Sequence, residues 1–457
     1  MIELLYILLL IVTVFVLIND LKKDRSLLQT VFFAVFILYY IFTPAILGLY
    51  DGRYVAEAYK NPYLVIYGNA SDSDRLRAFL ITAFVAILLI GLKKVRLVLN
   101  RNAKQTDFDS FGTQNGDYEY LDNAIFKTGI VFLAIGGLAL FELIVELGGL
   151  QRMLSLGNII RTYRVDNAEY LSAVGSICKT LSIFVTASFF CFYASSPKHK
   201  RHGLLSILSL ILSIAYLLFN AGRGPLLLFF GCIMFAFLKE HGRKVIWIVV
   251  LAFVAIALLS SSIEVMMNNV ARGLPAFYSL QYSVADNLLS TVTDLAYPHS
   301  NLLVLPKMIS KYGYNYGLDY LFWFSEVIPK RLLGFLWSFI PINTLVTTKV
   351  SQYYITSNLS FGGTPADYIT YGWFQGNIIG LFANCLIYDT ILKAVERPLR
   401  VLPKQYSIIR YRMCFFVYSL ITSNDLPLMI KNNLFIIIIM VVIYIVIKKR
   451  TGIKHEN

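Results

Sequence analysis

Charge is scarce in this chain. Only 15% of its 457 residues are Asp, Glu, Lys or Arg, while 57% are hydrophobic and 15% aromatic, against roughly 25% charged in a soluble globular domain. That scarcity excludes a soluble protein. Cysteine is scarce as well: Cys178, Cys191, Cys232, Cys385 and Cys414 all lie in apolar runs, with no Cys-x-x-Cys pair and no metal-ligand spacing. A disulfide framework and a thiolate metal site are thereby excluded, and the five read as small buried hydrophobes. No basic residue precedes the first apolar run and no small-residue cleavage site follows it, whereas Lys22, Lys23 and Arg25 do. The run is expected to stay as a span with its N-terminus outside. Internal repeats and low-complexity linkers are also missing, so residues 1–457 are expected to form one integral membrane domain.

Long apolar runs are what the sequence has in abundance. A helix needs about 17 to 25 residues to cross a bilayer core, and the runs place eleven expected spans at 2–18, 29–50, 78–92, 124–148, 171–194, 204–220, 225–238, 245–263, 369–392, 407–423 and 433–447. The expected fold class is therefore all-α and polytopic. The net charge of +14 comes with no nucleic-acid signature, and in a membrane protein such an excess collects in cytoplasmic loops. Threading the eleven spans puts 22 basic residues into about 80 loop residues on one side and 15 into about 167 on the other. The richer side is the inside, which places the C-terminus in the cytoplasm.

The outer side then carries one large segment, residues 264–368. Amphipathic stretches such as Leu318-Asp319-Tyr320-Leu321-Phe322-Trp323-Phe324 alternate there with turn signals, Tyr312-Gly313-Tyr314-Asn315-Tyr316-Gly317 among them. Short helices lying on the membrane surface are expected, because Tyr and Trp suit an interface that is apolar on one side and wet on the other.

Outer-side cations are few, so each one calls for a role. Arg223 sits in the short hairpin Asn220-Ala221-Gly222-Arg223-Gly224-Pro225, where two glycines permit a tight turn and Pro225 can begin the next helix. Its guanidinium is either a snorkelling anchor or a fixed phosphate clamp. Arg272 follows the eighth span in similar company. Arg161 and Arg164 are three residues apart and share a face if their loop is helical, and Lys330 and Arg331 follow Pro329. For each, a solvated or anchoring role stands beside a ligand contact. Taken together, cations on separate outer loops suit a pyrophosphate bound among them.

The acid–base candidates in the outer segment are His299, Asp286, Asp294, Glu326 and Asp367. His299 combines an ordinary pKa near 6.5 with an outer position. Asp294 is a second possible base. Asp367 is a third, or else the acid that caps the following span. Within the membrane Lys179 needs a partner, and Glu142 and Glu146 are the obvious ones. Asp72-Ser73-Asp74 and Asp107-Phe108-Asp109 have the spacing of a metal-binding carboxylate pair but lie in no βαβ unit. The first is expected to cap the third span, and no metal is expected.

Read in order, Gly222-Arg223-Gly224-Pro225, Tyr297-Pro298-His299-Ser300-Asn301, Tyr314-Asn315-Tyr316-Gly317, Ile328-Pro329-Lys330-Arg331, Gly363-Thr364-Pro365 and Tyr371-Gly372-Trp373-Phe374-Gln375-Gly376 make the chain resemble the Wzy-type O-antigen polymerases. The related enterobacterial common antigen polymerases show a similar order. The resemblance implies a membrane glycosyltransferase of the GT-C type in the bacterial inner membrane, with its active site facing the periplasm. It implies transfer of a growing glycan from undecaprenyl pyrophosphate to the terminal sugar of a new lipid-linked repeat unit. Neither metal nor other cofactor is implied, because the leaving group is already a pyrophosphate. The partners implied are undecaprenyl-pyrophosphate-linked oligosaccharides, membrane lipid and a Wzz-type chain-length regulator, with no nucleic acid. In this picture Arg223, Arg272, Arg161, Arg164, Arg331 and Lys330 hold the pyrophosphate, and His299, Asp294 or Asp367 takes the acceptor proton. An O-antigen ligase and a lipid-linked oligosaccharide flippase or transporter remain as alternatives.

Overall fold

A computed structural model of the chain describes residues 2–22, 27–49, 62–101, 116–162, 170–220, 223–241, 247, 251, 295–322, 345–357, 364–424 and 426–455. Every regular element among them is helical. In chain order these are α1 (Ile2–Lys22), then α2 (Leu27–Ile37) and α3 (Thr43–Leu49) joined by a π-turn (Leu38–Phe42), then α4 (Pro62–Asn69) and α5 (Asp72–Arg101). Next come α6 (Asp117–Glu146), α7 (Leu150–Thr162), α8 (Ala173–Leu181), α9 (Phe184–Ala194), α10 (His202–Asn220) and α11 (Arg223–His241). The later helices are α12 (Tyr297–Tyr312), α13 (Leu318–Leu321), α14 (Val346–Thr356), α15 (Tyr368–Phe374), α16 (Asn377–Arg400), α17 (Ser407–Thr422) and α18 (Leu426–His455).

Eight stretches among the described residues are long and apolar enough to cross a membrane: 2–21, 27–48, 72–95, 117–146, 173–194, 202–220, 377–400 and 432–450. The chain is thus a multi-pass membrane protein. Three of the eleven expected spans are absent from this set for different reasons. In α11 the apolar stretch among the described residues is Leu228–Lys239, α17 has 16 residues, and 245–263 lies almost wholly outside the described residues. The expected span 369–392 is broken, because Gly376 and Asn377 take positive φ values of 138° and 60°. That turn ends α15 and starts α16, which then runs on to Arg400.

Helix starts follow local chemistry. At α5 the cap is Ser71 rather than the Asp72-Ser73-Asp74 triplet itself: Asp74 N–H donates to Ser71 Oγ at 3.2 Å, and Ser71 N–H to Asp74 Oδ2 at 3.3 Å. This is a reciprocal capping box with Asp74 as its third helical residue.

The chain divides into two compact units, each assembled from three stretches: Met1–Lys104, Leu289–Glu396 and Phe416–Ile430 in unit 1, and Gln105–Leu288, Arg397–Phe415 and Lys431–Asn457 in unit 2. In unit 2, α6 packs along α8 and α9. Gly136 permits this approach, since a Cβ there would lie 2.6 Å from the Val185 backbone nitrogen. Leu140, Leu143, Met153, Ile160 and Phe219 form a core cluster beside it. Lys179 donates to the Ile160 carbonyl at 3.0 Å, and Glu146 accepts from Ser172 N–H. Of the cysteines, Cys191, Cys232 and Cys385 are buried and Cys178 and Cys414 half-buried.

In unit 1 the central element is α12. Every residue from Tyr297 to Leu305 is buried, and the helix packs against α4, α5, α14 and α15. The expectation of a surface helix fails here, because α12 turns polar and apolar side chains alike into an interior. One carboxylate also ties distant elements of this unit together. Glu396 on α16 accepts from Leu27 N–H at 3.1 Å and Leu28 N–H at 2.9 Å, satisfying two of the four orphan donors at the start of α2. Glu396→Ala is predicted to cost about 1–2 kcal/mol, read as a lower unfolding temperature of the purified protein. An unchanged temperature would mean that another group takes over the cap.

Candidate functional site

The polar interior of unit 1 is organised around Asp367. Its backbone is extended and its carboxylate caps α15, with Oδ1 accepting from Ile369 N–H at 3.2 Å and Thr370 N–H at 3.1 Å. The Tyr40 hydroxyl donates to the same oxygen, and Asn301 Nδ2 donates to Oδ2 at 2.8 Å. Asn301 in turn accepts from the Tyr354 hydroxyl at 2.8 Å. One carboxylate therefore fixes the π-turn, α12 and α15, and through Asn301 it also fixes α14. The π-turn matters because its extra residue turns Tyr39 and Tyr40 inward together. Tyr40 reaches Asp367, while Tyr39 shares a 2.5 Å hydrogen bond with Tyr418. Burial pushes the Asp367 carboxyl above its usual range, and the donors from Thr370, Tyr40 and Asn301 pull it part of the way back.

A second centre surrounds Asp319. Its carboxylate accepts from Asn315 Nδ2 at 2.7 Å, from the Val346 N–H that opens α14 at 3.2 Å, and from Gln375 Nε2 at 3.1 Å. The buried Lys349 ammonium donates to the Gly313 carbonyl at 3.2 Å and to Asn315 Oδ1. Burial lowers its pKa and Asp319 opposes the shift. The tyrosine-rich turn after α12 is therefore a folded, hydrogen-bonded turn anchored to the interior through buried Asn315, with Tyr316 left exposed.

His299 forms a third centre. The imidazole is 1% exposed, edge-on to Tyr6 at 5.6 Å and tilted against Tyr67 at 5.9 Å, and its Nδ1 has no hydrogen-bond partner among the described residues. Beside it Arg75 lies 4.7 Å over the Tyr67 ring, donates to the Tyr67 carbonyl at 3.1 Å and pairs with Glu3 at 3.7 Å. Burial first, and the Arg75 charge second, lower the His299 pKa to about 3.

The chain matches no family model, no curated protein and no solved structure. Chemistry must therefore be read from these groups. A side chain with a pKa about 3 is a weak proton acceptor near neutrality, so in this arrangement His299 serves better as a packed, neutral ring than as the expected base. Asp367 is occupied by four donors and acts as the cap, the second of its two sequence readings. Unit 1 brings these two together: His299 and Asn301 share one turn of α12, and Asn301 holds Asp367. Of the remaining site expectations, Asp294, Arg164, Arg272, Lys330 and Arg331 lie outside the described residues. Arg161 belongs to the last turn of α7 and Arg223 is the first residue of α11. Sequence reasoning passed over Arg75 and Lys349. Both were countable as outer-side cations, but neither sits in a glycine- or proline-marked turn that would have drawn attention.

The shift of His299 has a testable sign. Its folded pKa lies below the unfolded value near 6.5, so between about 3 and 6.5 only the unfolded chain binds the proton. Its contribution to stability is complete above pH 6.5 and falls as pH drops, by at most about 1.4 kcal/mol per pH unit. Asp367 works in the opposite sense, its raised carboxyl favouring the folded state as pH falls. The unfolding temperature should therefore decline more steeply below pH 6.5 in the wild type than in His299→Gln, with Asp367 common to both. Parallel profiles would mean that His299 titrates normally in the folded protein.

Proposed function

We propose that this membrane protein is a Wzy-type glycan polymerase of the bacterial inner membrane, acting on lipid-linked oligosaccharides at the periplasmic face. The observation that carries the reading is the motif order from Gly222-Arg223-Gly224-Pro225 through Tyr297-Pro298-His299-Ser300-Asn301 to Gly363-Thr364-Pro365. The folding of α12, α14 and α15 around Asp367 and Asp319 supports it, since a transferase needs a rigid frame on its outer segment.

In the proposed reaction an acceptor sugar hydroxyl attacks C1 of the donor glycan. The C1–O bond to undecaprenyl pyrophosphate breaks as the new glycosidic bond forms, and the hydroxyl proton passes to a base. Charge accumulates on the departing pyrophosphate, where guanidinium groups stabilise it through bidentate donors. Arg223 is assigned the leading part, with Arg161, Arg164, Arg272, Lys330 and Arg331 as supporting cations. His299 and Asp367 are positioning residues. The base is assigned to Asp294, the remaining member of the original three, three residues ahead of α12. The N-terminus lies outside and the C-terminus inside.

Arg223→Lys keeps the charge and loses the fork, so polymer synthesis should fall about tenfold or more. Near-normal polymer from a well-expressed Arg223→Ala variant would return Arg223 to a helix anchor. In a deletion strain, lipopolysaccharide carrying a single repeat unit on core is the expected pattern, whereas bare core would point to a ligase or flippase. Asp294→Asn should abolish polymer while leaving expression intact, and retained activity would remove Asp294 from the mechanism.

A further inference from the structure

Unit 2 holds a cation that the proposed reaction does not use. Arg412 on α17 is only 7% exposed, and an arginine keeps its proton inside a protein. Its Nη2 donates to Asn433 Oδ1 at 3.0 Å, and the guanidinium lies 4.8 Å over the Phe435 ring. The Cys232 thiol of α11 is within electrostatic reach. No ion pair among the described residues gives Arg412 a carboxylate, and its Nη1 is buried without a hydrogen-bond partner. All of these residues belong to unit 2.

The charge sits well inside the packed helices. Tyr411 meets Phe235 at 5.4 Å, and a Cβ on Gly231 would lie 3.0 Å from the Phe415 ring, so Arg412, between Tyr411 and Phe415, lies beside the middle of α11 (Arg223–His241). Asn433 is seven residues along α18 from Leu426, about 10 Å from that helix end, and both Asn433 and Phe435 fall in the 432–450 span. A charge at such a place is normally paired, because taking an ion out of water costs more than one amide and one ring return. Negative charge is what the group requires.

We propose that Arg412 Nη1 binds a monatomic halide, chloride in the cell, as a structural ion among α11, α17 and α18. A single guanidinium neutralises one negative charge, which selects a monovalent anion over a phosphate or pyrophosphate. The close approach of α11 to α17 at Gly231 selects a small one. The bound ion takes the donor hydrogens of Nη1, while Asn433 and Phe435 hold the other side of the guanidinium plane. This assignment needs only unit 2 and does not rest on the polymerase reading.

The full chain, purified in mild detergent, is unfolded by heat in sodium chloride, sodium bromide or sodium gluconate at one pH and one ionic strength. Chloride and bromide should raise the unfolding temperature by about 2–4 °C over gluconate, along a single-site saturation curve. Arg412→Met should abolish that difference and unfold in gluconate no lower than the wild type, since an apolar side chain of similar length replaces an uncompensated buried charge. Arg152→Gln, at an exposed position of α7, should keep the full difference. Equal wild-type temperatures in the three salts would overturn the assignment, as would a difference that survives in Arg412→Met or disappears in Arg152→Gln. Stronger stabilisation by sulfate or inorganic pyrophosphate than by chloride would overturn it too. If Arg412→Met does not fold, radioactive chloride binding to the wild type decides: one saturable ion per chain, displaced by bromide and not by gluconate, is expected, and its absence sinks the idea.

Discussion

A carboxylate placed where water does not reach must find its hydrogen bonds in the protein, and Asp367 finds four. The π-turn, α12 and α15 of unit 1 are arranged around that requirement. The π-turn delivers Tyr40, α12 delivers Asn301, and the first turn of α15 delivers two backbone donors. A buried polar group with a partial set of partners would be costlier than an apolar one. The network is therefore specific: moving any of its elements by one residue removes a donor that no solvent replaces. Asp319 repeats the logic a short distance along the chain, joining the turn after α12 to the start of α14 and to Gln375.

The fold class was legible in the sequence because membrane-spanning helices announce themselves by length and hydropathy alone. Eight of the expected spans recur as long apolar helices, shifted by a few residues where polar ends such as Asp117–Asp122 continue a helix beyond its apolar run. The break at Gly376-Asn377 was less legible. Two such residues inside an apolar pattern lower helix propensity without fixing a turn, and the Cβ-free approach of Gly380 to the Gly372 carbonyl is a tertiary fact.

Site chemistry was legible in part. His299 and Asp367 stood out as titratable groups in an otherwise apolar chain, and both do belong to one buried polar interior. Their roles depended on burial, which periodicity misjudged. The run Tyr297–Leu305 carries three consecutive polar residues, His299-Ser300-Asn301, which by composition belong at a wet surface, yet its Ser300, Asn301 and Tyr297 side chains all find partners inside. Nothing in the order of residues announces that Tyr40 donates to Asp367. Local signals place a cap or a turn; pairings between distant segments arise only from the packed structure.

Those distances in sequence impose an order on biosynthesis. Tyr40 is made 327 residues before its acceptor Asp367, and Leu28 is made 368 residues before Glu396. The first two spans consequently enter the bilayer long before the groups that complete them exist. Until then the α2 amides and the Tyr40 hydroxyl depend on water, lipid or a chaperone for hydrogen bonds. A ribosome that stalls anywhere in the middle of the message leaves an inserted chain with open polar edges, a form that membrane quality control can recognise. Completion of the carboxyl-terminal third is thus also the moment at which the amino-terminal third first becomes stable.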